Sequence, residues 1–307
     1  MRIVGVEALV FGVEDIAECV RCCQDFGLDL VPSSAASAPV LTALDGSSVQ
    51  IKRLDDPSLP AIDIPGPTLR QVIWGVQDSE TLDLIAAELG KDRDTALVDG
   101  LLQTRDDNGV AIAFRLATKQ SQAEPLPAAN VPGHFQRPVN ERVEFAQRVR
   151  PRGIAHVVFD CADEPKARAF YVERLGFIVS DSFRNTGAFL RTSIAREHHS
   201  VFTVQKEKSG LNHVAFYVTD FHEVMLGGMR MSEKGWETHW GPGRHKLGSN
   251  YFWYFKSPLG GQLEFTCDVD HVDENWVPRE LEFSRENSAM WSATGVIPTK
   301  LPPLEHV

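Results

Sequence analysis

Long apolar runs are missing from this chain. None of its 307 residues lies in a stretch approaching the roughly 18 consecutive apolar residues of a membrane-spanning helix, so no membrane partner is expected. Met1-Arg2-Ile3-Val4-Gly5-Val6 runs straight into strand-like sequence. It has no apolar core followed by small residues, as a secretory signal would, and a cytoplasmic location is expected. A basic excess is also missing. Lys and Arg number 31 against 42 Asp and Glu, a net charge of -11, which argues against a nucleic-acid partner. Cysteine is scarce and odd in number: Cys19, Cys22, Cys23, Cys161 and Cys267. Such a set does not build a disulfide framework. Cys19, Cys22 and Cys23 share an apolar helical pattern with no second Cys/His pair at zinc spacing, so they read as buried packing residues.

What remains is ordinary globular composition, 43% hydrophobic and 24% charged, enough for about two domains. The chain also repeats itself. Gly5-Val6-Glu7-Ala8-Leu9-Val10-Phe11 resembles Ile154-Ala155-His156-Val157-Val158-Phe159. In both cases acidic residues, an amphipathic helix and a Gly turn follow. Arg70 to Asp78 resembles Asn212 to Asp220, and Asn108 to Phe114 resembles Leu259 to Phe265. The order is the same in both halves. Each half reads as strand, helix and several strands, twice over. The fold expected is α+β, from repeated βαβββ modules in two domains. Residues 1–118 form a non-catalytic domain, 119–150 a proline-bearing linker (Pro125, Pro127, Pro132, Pro138), and 151–270 a catalytic domain. Residues 271–307 form a tail packed on the catalytic domain.

The repeat singles out three positions, occupied by His156, His213 and Glu264 in the second half. The alignment puts Glu7, Gln71 and Ala113 there in the first. A lone strand His is more often a packed or surface residue than a ligand, and a strand Glu is usually solvated. Two imidazoles and a carboxylate at matched repeat positions point instead to a metal site. Such a set with open positions suits non-heme Fe(II), and also Zn(II), Ni(II) or Mn(II). One site per chain is expected.

A longer motif then appears: Gly243-Arg244-His245, seven residues, Trp253-Tyr254-Phe255-Lys256-Ser257-Pro258-Leu259-Gly260, three residues, and Glu264. With the segment Gly153 to Gly176 and the His213 strand, it resembles the vicinal oxygen chelate superfamily, and within it the two-domain type I extradiol ring-cleavage dioxygenases. Trp253 and Ser257 depart from that family's usual residues. The resemblance implies Fe(II) on His156, His213 and Glu264, an acid–base His199 (His198 being the alternative), and His245 and Tyr254 holding the substrate oxygens. It implies extradiol cleavage of a catechol-type diol, both atoms of O2 entering the product, in a homo-oligomer. A glyoxalase-like isomerase or a metal-free resistance binder of the same superfamily is the competing reading. Phe189, Phe252, Trp253 and the tail tryptophans are candidate pocket walls. Arg184, Arg244 and Lys246 are candidate partners for a substrate carboxylate. His222, His239, His271 and His306 read as ordinary surface or loop residues.

Overall fold

The computed structural model describes residues 1–62, 66, 68–120, 128–143 and 148–293. Four βαβββ modules follow one another. The first is β1 (Ile3–Val13), α1 (Ile16–Phe26), β2 (Asp29–Leu30), β3 (Val40–Thr42) and β4 (Ser48–Arg53). The second is β5 (Thr68–Val76), α2 (Ser79–Leu89), β6 (Ala96–Val98), β7 (Leu101–Arg105) and β8 (Ala111–Leu116). A short hairpin, β9 (Asn130–Val131) and β10 (His134–Phe135), joins neither large sheet. Pro125 and Pro127 of the expected linker, and His306 of the tail, lie outside the described residues.

The third module is β11 (Gly153–Cys161), α3 (Glu164–Ala169) continued by a π turn (Phe170–Arg174), β12 (Ile178–Phe183), β13 (Gly187–Arg191) and β14 (Val201–Gln205). The fourth is β15 (Gly210–Tyr217), α4 (Phe221–Glu233), β16 (Thr238–His245), β17 (Tyr251–Ser257) and β18 (Gly261–Cys267). The tail adds β19 (Arg279–Leu281), α5 (Arg285–Ser288) and β20 (Ala289–Ser292).

One device starts every module helix. Asp15, Asp78, Asp163 and Asp220 each accept a hydrogen bond from the backbone N–H three residues on. A carboxylate there satisfies an orphan donor and meets the positive end of the helix dipole. These four caps mark the modules more sharply than the apolar strands do.

The caps also correct the repeat alignment. Asp15 to Gly27 is 12 residues (27 − 15), but Asp163 to Gly176 is 13 (176 − 163). The π turn absorbs the extra residue, as a single-residue insertion in a helix does. Matching glycine to glycine therefore shifts the strand by one. In the sheets Ala8 pairs with Ile73, and His156 pairs with Ala215. Ala8, not Glu7, stands where His156 stands. Glu7 sits at a register shift and accepts hydrogen bonds from Arg115, Thr118 and Lys119. The first half thus offers Ala8, Gln71 and Ala113. Ala8, Ile73, Ala113, Val10 and Leu59 form a small apolar cluster there, which fills the place of a metal site with side chains.

Both halves share one core. The Phe26 ring of α1 stacks on Phe265 of β18, centroids 3.8 Å apart. Trp74 of β5 meets Tyr171 and Phe177 edge-on. All five cysteines are buried and free. A buried polar contact between side chains crosses this core: the Tyr171 hydroxyl donates to Asp106 Oδ2 at 3.0 Å. Burial pushes the Asp106 carboxyl up to about 6, against the hydrogen bonds from Val110, Tyr171 and Asn108. A folded-state pKa raised above the unfolded value favours the fold while the group is protonated. That contribution is whole below about pH 4 and is lost as pH rises through about 6. Asp106→Asn stays neutral, so it is expected to gain on the wild type between about pH 4 and 6, by up to about 3 kcal/mol in all, and to keep that gain unchanged above pH 6. Denaturant melts of both proteins from pH 4 to 8 test this. A pH-independent difference would refute it.

The tail does more than cover the second half. The ten strands run β19-β12-β13-β14-β11-β15-β18-β17-β16-β20. Laid flat, the two edges would stand about 43 Å apart at the usual strand spacing. Residues 282–288 alone connect β19 to β20, and the eight Cα–Cα steps from Leu281 to Ala289 reach at most about 29 Å. The sheet must therefore curl until its edges approach, and residues 282–288 cross the opening as a strap.

Candidate active site

Sheet register explains why three distant residues meet. Ala215 in β15 pairs with His156 of β11 on one side and Glu264 of β18 on the other. His213 is two residues earlier and shares that face. The small Ala215 leaves a hollow between the flanking side chains, where the first half places Ile73 between Ala8 and Ala113. One ligand-type atom from each of His156, His213 and Glu264 lies within 4.8 Å of the other two. Among the described residues this is the one such cluster.

The donors behave as if built around a cation. His156 Nε2 and His213 Nε2 each lie 3.2 Å from Glu264 Oε2. Neither contact has hydrogen-bond alignment, and Oε2 and His213 Nε2 are both buried without a partner. Asn212 donates its amide to Asp160 at 3.0 Å, which turns its oxygen toward His213 Nδ1, 2.8 Å away. Nδ1 then carries the proton and Nε2 is a bare lone pair facing a carboxylate oxygen. Two buried acceptors at that distance repel, and an ion between them would relieve it. The residues present therefore fit a divalent metal, held by His156, His213 and Glu264.

A cavity of about 680 Å³ opens on this cluster. His199, His245 and Tyr254 all line it. His245 Nδ1 lies 2.9 Å from the Ser288 carbonyl of the strap, so Nδ1 carries the proton. Its Nε2, 2.9 Å from the Tyr254 hydroxyl, accepts. Burial lowers His245 to about 4, which keeps it neutral. Burial and the nearby Glu264 raise Tyr254 well above 10, which keeps its O–H. The His199 ring lies 4.2 Å from that of His156. Burial lowers its pKa well below 6.5, with His156 and His198 adding to the effect. His198 is fully buried behind it and does not line the cavity.

Other expected positions differ. Phe189 and Trp291 line the cavity, but Trp253 points onto Gly228 of α4, and Phe252 packs beneath Trp240 and His245. Trp276 packs against His198. Arg184 pairs with Glu280 and Glu282, Arg244 with Asp268, and Lys246 with Asn287. The cations on the cavity wall are instead Lys206 and Arg285, and the His239 ring also lines the cavity. Alternation along β17 does hold, with Tyr254 toward the site and Trp253 and Phe255 in the core. Asn250, 3.4 Å from Glu264 Oε1, and the strap were not legible beforehand. The Asn212-His213 neighbourhood carried a usable signal for the outer partner of His213.

Residues 153–265 match the family model described as the Glyoxalase/Bleomycin resistance protein/Dioxygenase superfamily. Metapyrocatechase 2 of Cupriavidus necator is 33% identical over 183 residues, which cover 60% of this chain and 57% of that protein. The iron-dependent extradiol dioxygenase of Rhodococcus jostii strain RHA1 is 31% identical over 143 residues, 42% of this chain and 48% of that one. The chain spans about half the length of these curated relatives. The solved Mn(II)-bound glyoxalase from Novosphingobium aromaticivorans aligns with a TM-score of 0.75 at 22% identity, over 98% of this chain and 94% of that chain. At that identity the likeness speaks for the α+β fold of paired sheets. The segment 153–265, which holds all three candidate metal ligands, is thus similar to the Glyoxalase/Bleomycin resistance protein/Dioxygenase superfamily model.

Proposed function

We propose that this chain is an Fe(II)-dependent extradiol dioxygenase. It opens a catechol-type ring beside one hydroxyl, and both atoms of O2 enter the product. The observation that carries this reading is the meeting, in one apolar cavity, of the His156, His213 and Glu264 cluster with His199, His245 and Tyr254. The relatives named metapyrocatechase and extradiol dioxygenase support it. A bound Fe(II) would supply a single point at which diol and O2 react together.

The rest falls to the chain. A neutral His199 takes a proton from the diol and returns it as the ring opens. Tyr254 and His245, already hydrogen-bonded to each other and anchored to the Ser288 carbonyl, orient the diol oxygens. The aromatic wall of Phe183, Phe189 and Phe202, with Phe283 of the strap and Met290 of β20, lines the cavity with apolar surface that excludes water. A cavity of about 680 Å³ suits a ligand larger than a single ring. The preferred diol therefore carries a second ring or a comparable apolar substituent.

Anaerobic loading with Fe(II), then O2 uptake against single-ring and two-ring catechols, tests the proposal. One O2 consumed per diol is expected, with kcat/KM about 10-fold or more in favour of the two-ring diols. No O2 uptake by the iron-loaded protein, alongside isomerase activity with Zn(II) or Ni(II), would favour the glyoxalase-like reading.

A further inference from the structure

A row of buried polar groups runs back from the cavity wall and has no role in the reaction as described so far. His199 Nδ1 lies 3.1 Å from His198 Nδ1. His198 Nε2 lies 3.1 Å from Asp181 Oδ2, off the line of a full hydrogen bond. Arg279 closes the row from the tail. It gives Asp181 its backbone N–H at 2.7 Å and its guanidinium at 2.6 and 3.1 Å. His198 and Asp181 are fully buried, and the Trp276 ring seals His198 edge-on. At Gly248, φ is +83°, and a Cβ would come within 3.3 Å of His198 Nδ1. A residue without a side chain lets the loop close onto the pair.

With a single ring proton on His198, counting along this row has one consistent solution. Asp181 is ionised, since it accepts the backbone N–H and two guanidinium hydrogen bonds of Arg279. An ionised carboxylate only accepts, so His198 must present Nε2–H to it. That single proton spent on Nε2, His198 has a bare Nδ1. Of two facing nitrogens one must donate, so His199 carries its proton on Nδ1. Its Nε2 is left bare and free to receive a proton in the cavity.

We propose that His198 and Asp181 are positioning residues that fix His199 in the Nδ1–H tautomer, with Nε2 as its proton-accepting atom. This rests on the ring-cleavage reading only for the use made of that atom. The tautomer itself is a property of the fold. The design is that of an outer partner that sets which imidazole nitrogen is available.

Long-range 1H–15N NMR of the Zn(II)-loaded, histidine-labelled protein reads the tautomer without any turnover. His199 is expected protonated on Nδ1 and bare on Nε2. Finding Nε2–H on wild-type His199 overturns the proposal, and that spectrum needs no variant. His198→Leu removes the acceptor and is expected to give a mixed His199 tautomer. His198→Asn places an amide oxygen where Nδ1 stood and should restore the single form. A His198→Leu spectrum identical to the wild type also overturns the proposal. With Fe(II), His198→Leu is expected to lower kcat about 10–100-fold at unchanged KM and metal content, with recovery in His198→Asn. If no diol is turned over by any of these proteins while the tautomers behave as stated, ring cleavage falls and the positioning row stands.

Discussion

Replacing His213 by Ala is expected to abolish metal retention and, with it, all diol-dependent O2 uptake. His213 Nε2 is held as a bare lone pair by the Asn212 amide, aimed at the oxygen that His156 also approaches. Truncation leaves His156 and Glu264 as the only candidate ligands. Two ligands on strands that flank β15 do not replace three on one face. The loss should exceed the 10–100-fold that outer partners of a ligand typically contribute. Two measurements separate this from simple unfolding. Without metal, the variant loses a repulsive pair of buried acceptors, so its melting temperature should match or exceed that of the metal-free wild type. With Fe(II) or Zn(II) present, the wild type should gain stability by mass action, about 2.7 kcal/mol at a hundredfold excess over Kd. The variant should gain nothing. A His213→Ala protein that still bound one metal per chain and consumed O2 would end the metal assignment.

The sequence was legible where chemistry demands particular atoms. His156, His213 and Glu264 stood out because imidazole and carboxylate are unusual in apolar strands and occupied matched places in a repeat. Their joint geometry follows from β-sheet register alone, with Ala215 as the common neighbour. The error at Glu7 has an equally local cause. A π turn adds one residue to the third module helix without leaving a mark in composition, so counting from glycine to glycine slips by one. The four Asp caps would have fixed the count, because a cap is tied to the helix start by a hydrogen bond and not by spacing.

The strap was not legible for a different reason. β19 and β20 are three and four residues long, too short to show alternation. They are strands only because the curled sheet offers them two free edges. The same holds for the row behind His199. Asp181 and Arg279 are 98 residues apart, and β12 pairing with β19 brings them together. The most informative parts of the site, its closure and its proton bookkeeping, arise from pairings that the tail makes with strands of the modules.

His199→Ala should give the second large effect, and of a different kind. Metal content is expected to stay at the wild-type level, because His156, His213 and Glu264 and the Asn212 partner of His213 are untouched. Anaerobic diol binding should also persist, since Tyr254 and His245 keep their mutual hydrogen bond and their anchor on the Ser288 carbonyl. What is lost is the group that takes and returns the proton, worth about 10²–10⁴ in rate for a positioned acid–base residue. Single-turnover measurements should therefore show kcat falling by that factor with KM changed little. Two rival placements of the acid–base role are separated by the same series. If the neighbouring His198 were the proton-transfer group, His199→Ala would cost little and His198→Asn would cost as much as alanine. His198 lies behind the cavity wall, facing Asp181, so the opposite ranking is expected: His199→Ala far below His198→Leu, and His198→Asn near the wild type. A His199→Ala enzyme within about threefold of wild-type kcat would remove general acid–base catalysis by this residue from the mechanism.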